Sequence, residues 1–148
     1  RSYGSMSYAG LLSFIYADLS PQDPRRMAVL EWLEKHFDLD ENPGLGEQGL
    51  YYYYHLMAKA LAASESAPRG DAHPSAAVSG TASAGLPDAA SPKGRIPREW
   101  ARGLALKLIQ LQTGDGSWTN KNGRWMESDS VLVTAYSMLS LELIRDRF

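Results

Sequence analysis

The chain has no cysteine, which excludes disulfides and thiolate metal sites. Histidine is scarce too. His73 stands in a polar segment, and His36 and His55 belong to different helices with no carboxylate at ligand spacing, so no metal is expected. Fifteen Lys and Arg against 17 Asp and Glu leave no basic stripe, which argues against nucleic acid as a partner. No apolar run approaches the roughly 20 residues of a membrane span, so no transmembrane segment is expected. The chain opens on Arg1 rather than Met, without a charged-then-apolar leader. That opening reads as a cut point inside a longer protein and identifies no compartment.

Large apolar residues are missing from 64–95, where Ala, Ser, Gly and Pro fill 22 of 32 positions and Val78 and Leu86 are the only large aliphatics. Such a stretch cannot bury enough surface to offset the entropy of ordering it. It reads as a flexible, disordered insertion within one domain spanning 1–148.

The remainder, in a chain that is 44% hydrophobic, follows a helical period. Ser20-Pro21-Gln22-Asp23 is a start signal for a helix with Val29, Leu30, Trp32, Leu33 and Phe37 on one stripe, ending before Asn42-Pro43-Gly44. Pro97 opens a second, with Trp100, Leu104, Leu108 and Leu111 on one face. Ser128-Asp129 caps a last helix with one row of Leu132, Tyr136, Leu139 and Leu143 and another of Val131, Ala135 and Met138. That breadth predicts burial on more than one side.

Between the last two helices runs Gln112-Thr113-Gly114-Asp115-Gly116-Ser117-Trp118, followed by Gly123-Arg124-Trp125. An amide at a helix end can bond unpaired backbone groups and stack on an indole, and Gly116 lets the chain turn close to the ring. Gln112, Gly116 and Trp118 therefore read as a structural clasp and not as catalytic groups. The stretches beginning Ser7-Tyr8, Tyr53-Tyr54 and Ala135-Tyr136 align at offsets of 46 and 82, the second falling to 50 without the 32-residue insertion. A period near 50 is that of a helical-hairpin repeat. The expected fold class is all-α, in the order inner, outer, inner, outer, inner helix.

The run Leu108 to Trp118 resembles the Gln-Trp motif of squalene–hopene and oxidosqualene cyclases, and Gly123-Arg124-Trp125 extends the likeness to their last repeat. That family shares an α/α toroid with protein prenyltransferase β-subunits. The resemblance implies a partial toroid of three inner and two outer helices, the carboxyl-terminal part of a longer chain, with the rest of the toroid as a partner. It also places a cavity mouth at the amino ends of the inner helices. Tyr51, Tyr52, Tyr53, Tyr54, Trp125, Met126 and Glu127 become candidate lining residues, although at about 100° per residue the four tyrosines cannot all face one way.

The implied function is that of a cyclase-like protein that binds or cyclises a long isoprenoid, or another apolar small molecule, without a cofactor. If catalytic it would be an isomerase or lyase, its acid lying outside this stretch. Asp38-Leu39-Asp40-Glu41 only approximates the family's acid motif and reads as a solvated cluster. The alternative is a non-catalytic toroid used for binding or scaffolding. A zinc prenyltransferase is disfavoured, because Val133 occupies the family's histidine position and there is no cysteine. A partial toroid leaves an apolar face uncovered. The isolated chain is therefore expected to self-associate in sedimentation velocity; a sharp monomer peak with cooperative melting would count against a missing half.

Overall fold

The structure, a computed structural model, describes residues 2–66 and 96–147, and all of its regular elements are helical. In chain order these are α1 (Gly4–Tyr16), α2 (Pro24–Lys35), α3 (Leu50–Ser66), α4 (Trp100–Leu111), a 3-10 turn at Arg124–Met126, and α5 (Ser130–Ile144). Among the described residues there is no strand. Helix α3 is the hub and packs on α1 and α5, while α2 packs on α1 and α4 on α5. Tyr8 and Leu11 of α1, Leu33 of α2, Tyr53, Tyr54 and Met57 of α3, Leu104 and Leu108 of α4, and Val133 and Ile144 of α5 make one core.

Local chemistry moves several boundaries. Helix α2 starts one step after the expected signal: Asp23 is its cap, accepting from Arg25 N at 2.9 Å, and Pro24 fills the first helical position. Ser20 instead closes the preceding turn through Gln22 N. Both Ser20-Pro21 and Asp23-Pro24 carry the same start chemistry, and the second nucleates the helix. Pro97 precedes α4 rather than opening it, since its carbonyl accepts from Trp100 N. Asp129 caps α5 as expected, bonding Val131 N.

The expected insertion falls outside the described residues except at Ser64, Glu65 and Ser66, which form the last turn of α3. Glu65 ties that turn down, accepting from Trp100 Nε1 at 2.9 Å and pairing with Arg147.

Helix α5 departs from its expected burial. Its buried stripe is Val133, Ser137, Ser140 and Ile144, whereas Val131, Met138 and Leu139 are more than half exposed. Tyr136, aligned by sequence with the buried Tyr8 and Tyr54, is only partly buried, and Ser137 takes the matching buried position.

The Gln112-to-Trp118 loop joins α4 to α5. Gln112 Nε2 donates to Gly116 O at 2.8 Å, and Trp118 Nε1 donates to Leu108 O at 2.7 Å. Leu108 carries one of the carbonyls that a helix end leaves free, so the buried indole acts as a side-chain cap. Trp118 N also donates to Thr134 Oγ1 on α5. Gly116 serves a different purpose from the one expected: a Cβ there would meet only Gln112 Nε2, at 3.9 Å, but its φ is +84°. The requirement is left-handed backbone, not room for the ring. Between the two, Asp115 accepts from Thr113 Oγ1 and from Ser117 N and Oγ, which lowers its carboxyl to a pKa of about 2. Replacing Trp118 with Phe keeps most of the apolar contact and deletes the cap. It should lower stability by about 1 kcal/mol, read as a fall in urea midpoint at constant m-value.

Candidate functional site

The amino ends of α1 and α3 are both closed by the loop that follows the next helix. At α1, Pro43 O accepts from Gly4 N at 2.9 Å, and Asn42 Oδ1 accepts from Ser5 N at 3.0 Å. Asn42 is fully buried and fully used, its Nδ2 donating to Ser5 Oγ and Gln48 O. At α3, Glu127 Oε1 accepts from Tyr52 N at 2.9 Å, and Asn120 Nδ2 donates to Glu127 Oε2 at 2.7 Å. Glu127 is 1% exposed. A carboxylate there complements the helix dipole and satisfies an otherwise free amide.

Glycine permits both closures. A Cβ on Gly4 would strike Pro43 Cδ at 2.6 Å, and one on Gly49 would strike the Trp125 ring at 2.9 Å. The second loop is strained to reach its place. Trp125 and Met126 both hold positive φ, at 56° and 66°, without being glycine. Strain of this kind persists where surrounding contacts over-determine it. Here Trp125 sits against Gly49 and under the Arg124 guanidinium, 4.8 Å from the ring centroid.

These closures frame a half-open concavity of about 350 Å³. Tyr3, Ser5, Met6 and Ala9 line it from the α1 side, Tyr52 and Leu56 from α3, and Tyr136 from α5. Trp125 and Glu127 complete it from the loop. The Tyr52 and Tyr136 rings lie 5.7 Å apart at 57°, and His55 stacks on Tyr136 at 5.8 Å. Burial, and then the Lys59 ammonium, lower the His55 pKa and favour its neutral form. Burial, then Tyr52, then Glu127 raise the Tyr136 hydroxyl.

Only three of the seven residues proposed for the lining meet here: Tyr52, Trp125 and Glu127. Tyr51, Tyr53 and Tyr54 turn into the core instead, as helical geometry requires of a consecutive run. Their hydroxyls hold loops. Tyr53 donates to Asp38 O at 2.7 Å, Tyr54 to Leu39 O at 2.6 Å, and Tyr51 to Thr119 O at 3.5 Å. Burial pushes Tyr51 up to about 12 and Tyr53 and Tyr54 further, so all three stay protonated donors. Met126 is two-thirds exposed and outside the concavity.

Sequence reasoning missed Met6, Leu56 and Tyr136 as lining, because on broadly apolar helices no pattern marks which side stays open. It also missed Asn42, read only as part of a helix stop. The Asp38-Leu39-Asp40-Glu41 run is a turn: Asp38 Oδ1 accepts from Asp40 N and Glu41 N, and Asp40 pairs with Lys107. Val133 is fully buried, and among the described residues no cluster of His, Asp and Glu could hold a metal ion. No described helix is long and apolar enough to cross a membrane. Compared with protein-family models, curated proteins and solved structures, the chain matches none.

Glu127→Ala would leave Tyr52 N–H without its partner and should cost about 2–4 kcal/mol. Met126→Gly should instead raise stability by about 0.5–1 kcal/mol, because relief of left-handed strain exceeds the entropy that glycine adds. Chemical denaturation of both variants checks the pair of opposite signs.

Proposed function

We propose that the chain is part of an α/α toroid of the squalene–hopene cyclase kind, with α1, α3 and α5 as inner and α2 and α4 as outer helices. Its role is to bind a long isoprenoid or similar apolar molecule at the amino ends of the inner helices. The observation that carries this reading is the aromatic concavity at those ends, walled by Tyr3, Tyr52, Tyr136 and Trp125.

Two parallels support the repeat. A loop residue, Asn42 or Glu127, bonds the first turn of the inner helix of the preceding hairpin, and a glycine beside it admits Pro43 or Trp125. The buried positions Tyr8 and Leu11, Tyr54 and Met57, and Ser137 and Ser140 also fall in the same three-residue step on successive inner helices. The exposed apolar residues Val131, Met138 and Leu139 on α5 fit a surface covered by the rest of such a toroid.

Binding is favoured over cyclisation within this stretch. Glu127 is the carboxylate in the wall, and both of its oxygens are engaged by Tyr52 N and Asn120 Nδ2. Cyclisation would need an acid from elsewhere in a parent protein. Titration with farnesol should change tryptophan fluorescence saturably, and Trp125→Phe should remove most of the signal. Squalene incubated with the chain should be recovered unchanged by mass spectrometry. Absence of saturable binding would overturn the ligand-binding reading, and cyclised product would overturn the assignment of the acid to another segment.

A further inference from the structure

We propose that the concavity selects an organic cation, an ammonium group carried on an apolar chain, over a neutral or acidic head of the same length. The proposal rests on the ligand-binding reading above and adds the sign of charge that the site accepts.

Among the described residues of the wall Glu127 is the one with a formal charge, and no described Lys, Arg or His lines the concavity. Both Glu127 oxygens accept from N–H groups, the bonding of a carboxylate. At 1% exposure its charge is poorly screened by salt. The amino end of α3 contributes about half a positive charge against it, which leaves the pair net negative. At α1 the Gly4 and Ser5 amides already face the carbonyl oxygens of Pro43 and Asn42, whose dipoles oppose that end. The Arg124 guanidinium is exposed and lies over the Trp125 ring.

The aromatic wall reinforces the same sign. Ring faces attract cations, with a gain that grows as water is excluded. Tyr52 and Tyr136 are inclined to each other at 57° beside Glu127. Trp125 is half exposed and already has Arg124 over its ring, so the two tyrosines carry the preference for a cation. An acidic or diphosphate head placed here would give up hydration to meet a buried carboxylate, with no described base in the wall to pair it. An alkylated ammonium sheds water more easily and gains from both the carboxylate and the tyrosines.

Calorimetric titration of the chain with octyltrimethylammonium, 1-octanol and octanoate separates the possibilities. The ammonium should bind about tenfold tighter than octanol, equivalent to about 1.4 kcal/mol, with octanoate weakest. In Tyr136→Leu and in Glu127→Gln the ratio of ammonium to octanol affinity should fall towards one, whatever happens to octanol affinity itself. Should the glutamine variant fail to fold, Tyr136→Leu carries the test, since Tyr136 lies at the partly exposed surface of α5. Octanol binding as tightly as the ammonium, or a preference unchanged by Tyr136→Leu, would overturn the charge assignment and leave the apolar-ligand reading standing. Failure of all three probes and of farnesol would overturn both.

Discussion

The structure depends on how it closes the amino ends of α1 and α3. A helix start exposes amides that need partners, and in both helices the partner comes from a loop far along the chain. Asn42 lies 37 residues beyond Ser5, and Glu127 lies 75 beyond Tyr52. Both side chains are buried, so leaving either set of amides unpaired would carry the full desolvation cost. These long-range bonds fix where the loops lie, and the loops together with the helix starts form the concavity. Left-handed backbone at Trp125 and Met126 persists because Glu127 has a place it must reach.

The same arrangement separates the aromatics of the core from those that face the concavity. Four consecutive tyrosines divide by angle on α3. Tyr51, Tyr53 and Tyr54 send hydroxyls to the carbonyls of Thr119, Asp38 and Leu39, while Tyr52 turns to the open side. The three buried rings anchor both loops to α3, so the concavity is held by a rigid base. Tyr52 has its amide locked by Glu127 and its ring beside Tyr136, a pre-organised wall.

Helix content and a turn at the Gln112 loop were legible in the sequence, because period-3.6 stripes and a Gly-containing turn are local signals. Even there the chemistry differed in detail: the indole caps Leu108 while Gln112 bonds Gly116, and Gly116 answers to φ. The start of α2 was misplaced because two cap-and-proline pairs stand three residues apart and only packing selects between them. The concavity was half legible. Tyr52, Trp125 and Glu127 were on the candidate list, but no local pattern shows that Glu127 would meet the amide of Tyr52. Asn42 was hidden for the same reason: its partner is on another helix.

Helix α5 carries the consequence of these constraints furthest. Its face toward the core holds Ser137 and Ser140, whose hydroxyls are used up on Val133 O and Tyr136 O within the helix. Small residues there allow close approach to neighbouring elements, while the larger Val131, Met138 and Leu139 remain outside. Val133 and Ile144 keep their places in the core, so the ordinary distribution of large apolar residues is inverted only in part of the helix. An exposed apolar row gains little for the isolated chain and becomes favourable when another surface covers it. The partly buried Tyr136 lies between the two, with its ring against α3, the exposed Ala135 on one side and the buried Ser137 on the other. Thus the helix that completes the concavity also carries an exposed apolar row, and covering that row would stiffen the wall of the concavity.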